Sequence, residues 1–136
     1  VKVSDGYEPR IMDFQIIDAD GLDWTEEVLT HEGNVMLYVS KDLELASTDE
    51  QSAMNDFARK AEIAGWMNVG LTNAPADQNK SFQVEHDVPY PMYTCDQTEL
   101  KIVVRSNPGM VWIKDGEVQE KWSWRDTPEW NDIIAD

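Results

Sequence analysis

The apolar positions of this chain change period several times, and each change marks an element. Ile11 to Ile17 alternate loosely, as a strand does, and stop at Asp18-Ala19-Asp20-Gly21, a turn by composition. Thr25 to Thr30 reads as a short helix, and Gly33 closes the connection that follows. Val35-Met36-Leu37-Tyr38-Val39 is a continuous apolar run of strand length, which predicts a central strand buried on both faces. Ser47 with Glu50 three residues on has the form of a capping box. Met54, Phe57, Ala58 and Ala61 then recur at i, i+3, i+4 and i+7, painting one face of a helix that Gly65 ends. Trp66 to Leu71 is the next strand, so strand, helix and strand make a parallel βαβ unit with a right-handed crossover.

Beyond Asn73 the chain turns polar and loop-like, and Asp77 to His86 reads as a helix of modest apolar content. Pro89 to Thr94 is an extended edge segment, because its two prolines exclude a central strand. Asp96 caps a further helix with Glu99 at its third position and Leu100, Val103 and Val104 facing inward. That helix ends by Ser106, since Pro108 drives Asn107 out of helical geometry. Met110 to Ile113 and Val118 to Trp124 are hairpin partners around Asp115-Gly116, with Val118, Trp122 and Trp124 expected on one face. Thr127-Pro128 starts a terminal helix whose apolar side is Trp130, Ile133 and Ile134. The order is β-α-β-α-β-(α-β)-α-β-β-α. It predicts one α/β domain over residues 1–136, a three-layer sandwich with a central mixed sheet and helices on both faces.

Charge narrows the partners. The 27 acidic residues outnumber the 11 basic ones, and the net charge of -16 is spread along the chain. A polyanion is repelled by such a surface, which argues against nucleic acid and against anionic membranes. No apolar run reaches the length of a bilayer span. The first residues, Val1 to Gly6, lack the charged and apolar regions of a signal peptide, and the missing initiator Met suggests a piece of a longer protein. The single cysteine, Cys95, excludes an internal disulfide and any CxxC site.

The segment Asn107-Pro108-Gly109-Met110-Val111-Trp112-Ile113-Lys114-Asp115-Gly116-Glu117-Val118 resembles the thioredoxin stretch in which a cis-proline precedes a strand, a Lys-Asp-Gly turn and the final strand. The helix-plus-strand insertion at 77–94 is similar to the alkyl hydroperoxide reductase and TlpA-like branch of that fold. A closer resemblance is to the soluble domain that follows the membrane helices of some bacterial DoxX-type proteins. It is carried by residues 100–109 (Leu-Lys-Ile-Val-Val-Arg-Ser-Asn-Pro-Gly), by Lys114-Asp115-Gly116, and by Ile11-Met12-Asp13-Phe14 and Asp20-Gly21-Leu22-Asp23. The resemblance implies a thioredoxin-like domain on the periplasmic, extracytoplasmic face of a bacterial membrane, tethered by helices outside this sequence.

Thioredoxin chemistry needs a thiolate at the N-terminus of the helix after the central strand, where the helix dipole lowers its pKa and a second cysteine resolves the mixed disulfide. The corresponding stretch, Ser40 to Thr48, contains no thiol, so neither thiol-disulfide exchange nor peroxidase chemistry is expected, and no cofactor. What remains is the recognition half of the site. By the resemblance, extended polypeptide binds beside the cis-proline, which makes Lys41, Asp42, Leu43, Ser47, Thr48, Ser106, Asn107 and Pro108 the candidate groove. Its occupant would be a protein partner or the protein's own membrane region. The alternative is an accessory role in a redox membrane complex whose chemistry lies elsewhere; a weaker one is a single-cysteine reaction at Cys95. The neighbouring Asp96 is expected to raise the Cys95 pKa, in keeping with a small buried residue. Asp18 to Asp23 superficially resembles a calcium loop, but Leu29 stands where an EF-hand needs its Glu. His31 and His86 lack partners at metal spacing and read as surface residues, so no metal site is expected. Six tryptophans are many for this length: Trp112, Trp122 and Trp130 read as core, and Trp124, with Arg125 and Pro128, as packing or partner contact.

Overall fold

A computed structural model describes residues 15–134. Helix α1 (Thr25–Leu29) leads into β1 (Asn34–Ser40), followed by α2 (Gln51–Ile63), β2 (Met67–Thr72), α3 (Ala76–His86) and β3 (Met92–Thr94). Helix α4 (Gln97–Val103), the hairpin β4 (Gly109–Lys114) and β5 (Glu117–Ser123), and α5 (Trp130–Ile134) complete the order. Together they give a five-stranded mixed sheet in the order β3-β2-β1-β4-β5. Strand β1 pairs parallel to β2 and antiparallel to β4, and β2 pairs parallel to β3. The first expected strand lies largely outside the described residues; of the part inside, Ile17 bridges Thr94 and Asp23.

The continuous apolar run of β1 has the consequence expected of it. Val35, Leu37 and Val39 enter one core with Leu71, Leu100, Val103, Val111 and Ile113, beneath α1 and α4. Met36 and Tyr38 point the other way, into a second core with Met54, Phe57, Ala58, Ala61 and Met110, beneath α2 and α5. Alternation along one strand thus divides its side chains between two layers. Aromatic rings close the second core: Phe57 meets Trp66 and Trp130 edge-on, while Trp66 stacks on Trp112 at 5.4 Å.

Several local expectations are corrected. Val118 packs against the first core and Trp122 against the second, so they do not share a face. A bulge between Trp112 and Ile113 is responsible: Ile113 pairs with Val118 but Trp112 with Glu120, and the extra residue reverses the alternation. Trp124 leaves the strand for a single 3-10 turn (Trp124–Asp126), where Arg125 covers its ring at 4.8 Å. The last helix accordingly starts at Trp130, two residues after Pro128; Trp130 and Ile133 pack on the second core. Ser47 and Glu50 do not form a capping box, because α2 starts at Gln51 with no side-chain cap at Glu50. Asp96 does cap α4, accepting from the Thr98 N–H at 2.8 Å. The Asp115-Gly116 turn has positive φ at both residues, 52° and 85°, which hairpin twist requires.

Candidate functional site

Strands β1, β2 and β3 all end at one edge of the sheet, where Ser40 pairs with Thr72 and Thr72 with Thr94. Antiparallel β4 begins there, with Gly109 opposite Val39. The connections that follow β1 and precede β4 therefore face each other, and they are fastened together. The Asn107 side-chain amide donates to the Asp42 carbonyl at 2.7 Å, and its oxygen accepts from the Asp42 N–H at 3.4 Å. The Asn107 main-chain carbonyl accepts from the Ser47 N–H at 3.0 Å. One residue so holds both ends of the 42–47 loop. Lys41 adds an ammonium bond to the Arg105 carbonyl, and the Leu43 N–H donates to the Asn73 side-chain oxygen at 2.9 Å.

The peptide bond between Asn107 and Pro108 is cis, as expected. Pro108 is buried and its carbonyl accepts from the Trp124 N–H at 3.2 Å, which ties the start of β4 to the turn after β5. Gly109 is confined as well: a Cβ there would stand 2.9 Å from the Ser106 hydroxyl and 3.0 Å from Val104. Of the eight sequence-chosen residues, the fold brings Lys41, Asp42, Leu43, Ser47, Ser106, Asn107 and Pro108 to this junction, with Leu43 buried beneath it. Thr48 is exposed at the loop's end, lining instead an open polar cleft of about 320 Å³ with Gln51, Asn55, Arg59, His86 and Asp87.

Sequence reasoning missed the amides of that cleft. Gln51 and Asn55 are buried, one helical turn apart, and joined at 2.8 Å; Gln51 also donates to the Tyr90 hydroxyl, and Asn55 to the carbonyls of His86 and Asp87. They fasten the end of α3 onto α2. The usable signal was their i, i+4 spacing on the same face as Met54 and Ala58. His86, expected at the surface, is half-buried against the Phe82 ring at 4.4 Å.

Cys95 follows β3 at the same end of the sheet, its N–H donating to the Thr72 carbonyl at 2.7 Å. Its side chain enters the first core and is 5% exposed. Burial pushes the thiol up to about 12, so the charged nucleophile is suppressed. The expected influence of Asp96 is replaced by desolvation; the Asp96 carboxylate faces the Thr98 N–H instead. Cys95 in the folded protein should therefore react with a disulfide reagent at pH 8 roughly a hundredfold or more slowly than in urea-unfolded chain. Equal rates in the two states would refute that burial. Among the described residues no cluster of metal-ligating side chains occurs. Asp18 belongs to a turn, accepting from the Trp24 indole N–H at 2.7 Å and from the N–H groups of Asp20 and Leu22; the indole bond leads the lowering of its pKa.

No family model matches the sequence, and no curated protein matches it. Solved structures do. A Sco-family cytochrome c oxidase assembly protein superposes with a TM-score of 0.66 at 16% identity, covering 93% of this chain and 90% of that one. Peroxidoxin BcpB from Mycobacterium tuberculosis gives 0.64 at 17% identity, covering 84% and 83%. Peroxiredoxin Q of Xanthomonas campestris gives 0.57 at 13% identity, covering 79% and 78%. The fold is thioredoxin-like. In this thioredoxin-like chain the helix after the central strand is preceded by the fastened 41–48 loop, which carries no thiol, and Cys95 has no second cysteine to pair with.

Proposed function

We propose that this domain is a non-catalytic recognition module that binds an extended segment of a protein partner at the junction around Asn107 and Pro108. The observation that carries the reading is the Asn107 clamp. The position of a redox motif is held by a cysteine-free loop bonded to the residue before the cis-proline, so the junction is kept ordered without redox chemistry. Because the Asn107 carbonyl already accepts from Ser47, a bound strand would use the Asn107 N–H and the side chains bordering the loop, among them Leu45, 77% exposed. By its resemblance to DoxX-type soluble domains, the module works on the extracytoplasmic side of a membrane, on a protein partner or its own membrane region. The alternative draws on neighbours named as a peroxidoxin and as a cytochrome c oxidase assembly protein. There the same surface positions a partner inside a redox complex while other subunits supply the cysteines.

Two measurements test the proposal. Insulin reduction and peroxide consumption by the chain are expected to stay at the uncatalysed rate; turnover above it would overturn the non-catalytic reading. Titration of isotope-labelled protein with extended synthetic peptides is expected to shift the amides of 41–48 and 105–109, and Asn107→Ala to weaken that response up to about tenfold, the scale of one lost hydrogen bond. Shifts confined to other surfaces would remove the junction from consideration.

A further inference from the structure

Resting on that recognition reading, we infer that the partner segment is acidic, because the flank of the junction gathers cations that form no ion pair among the described residues, on an otherwise acidic chain. Helix α4 ends at Val103 and its exit carries Arg105 toward Asn107. Lys121, on β5, donates its ammonium to the Val103 carbonyl at 2.8 Å, and Lys41 donates to the Arg105 carbonyl. Two ammonium groups thus converge on carbonyls two residues apart, each keeping further N–H donors. Lys101, in the last turn of α4, and the exposed Arg105 extend the set.

Two readings compete for these residues. Cations at a helix C-terminus complement the dipole, and that accounts for Lys121 and in part for Lys41. Lys101, in the last turn, belongs with these; Arg105 lies beyond the helix end, and neither the Lys101 nor the Arg105 side chain makes a hydrogen bond or ion pair among the described residues. Among the described residues the lysine and arginine ion pairs lie elsewhere, Arg59 with Asp87 and, within α2, Lys60 with Asp56. The carboxylates beside the set, Asp42 and Glu99, pair with none of the four cations. Four of the chain's 11 basic residues therefore stand near one junction without a carboxylate partner among the described residues, in a protein whose net charge is -16.

An extended acidic peptide would lay its backbone at Asn107 and its carboxylates at Arg105, Lys101 and the free donors of Lys41 and Lys121. The carboxylates elsewhere on the chain repel it at long range. At physiological ionic strength, where the screening length is about 8 Å, the local cations govern the contact. An anionic membrane surface presents the same charge without a strand. A whole bilayer, however, faces far more of the acidic surface than a single extended segment does, and the observations favour the peptide.

The test uses the 136-residue chain, three unstructured peptides of equal length (glutamate-rich, serine/glycine-rich and lysine-rich) and vesicles containing anionic lipid, all at about 150 mM salt. The acidic peptide is expected to bind at least about tenfold more tightly than the neutral one and to shift the amides of 101–109 and 121. The double variant Lys101→Gln/Arg105→Gln, which removes no bond that holds the fold, is expected to lose about five- to tenfold of that affinity while its melting temperature is unchanged. Equal binding of the acidic and neutral peptides at the junction would overturn the charge inference and leave the recognition reading intact. Binding of no peptide at the junction would overturn both. Binding to the vesicles without binding to the acidic peptide would overturn the inference in favour of a membrane surface.

Discussion

Phe57→Ala is expected to destabilise the domain by about 3–5 kcal/mol, enough to threaten a fold whose total stability is on the order of 5–15 kcal/mol. Phe57 is 1% exposed, and its ring meets Trp130 at 5.4 Å and Trp66 at 6.2 Å. Truncation removes the apolar transfer energy of the ring and leaves a cavity walled by two large indoles. These cannot collapse inward without giving up the Trp66–Trp112 stack. The helix carries its own control in Ile63, which is 86% exposed, so Ile63→Ala should change stability by less than about 0.5 kcal/mol. Chemical denaturation of both variants checks this, with tryptophan emission reporting on the same ring cluster. Equal midpoints for the two would mean that α2 is not held through Phe57.

A steep loss of stability above pH 9 is the second large effect. The Cys95 thiol is raised from about 9 to about 12 by burial, and burial likewise raises Tyr38 and Tyr90. Where the unfolded thiol is ionised and the folded one is not, the native state binds more protons, so stability falls as pH rises. Its contribution is therefore fully present below pH 9 and is lost progressively between about pH 9 and 12, at roughly 1.4 kcal/mol per pH unit. The two tyrosines add to the slope once unfolded phenols ionise near pH 10. Urea midpoints at pH 8, 9, 10 and 11 should fall across that interval, and Cys95→Ala should flatten the limb below pH 10 while leaving the tyrosine part. A midpoint constant from pH 8.5 to 10.5 would contradict the burial of all three groups.

The elements were legible where a single physical rule governed them. Continuous apolar character placed β1 at the centre, spacing placed Met54, Phe57, Ala58 and Ala61 on one face, and two prolines put β3 at an edge. The failures came where tertiary contacts displaced local preference. The N–H of Ser47 is bonded to a carbonyl 60 residues away, so the stretch Ser47–Glu50 does not serve as a cap. Nothing in the β5 sequence announces that a bulge will send Val118 and Trp122 to different layers; the extra residue is visible only against its partner strand. The candidate junction was legible through Pro108 and the absent thiols. The clamp itself was not, because Asn107 gives no sign in sequence of which loop its amide will meet.

The clamp also says where this chain tolerates change. With Asp42 and Ser47 both bonded to Asn107, and Leu43 held by Asn73, the residues 44–46 form a closed bight whose own bonds are those of one 3-10 turn (Leu43–Leu45) to Asp42 and Leu43. Lengthening such a bight costs only loop-closure entropy, about 0.6 kcal/mol for each doubling. The segment between the clamp's two anchors is thus an insertion port. A foreign epitope or an affinity handle spliced between Glu44 and Ala46 would leave the sheet beneath undisturbed while displacing Leu45 from the proposed recognition surface.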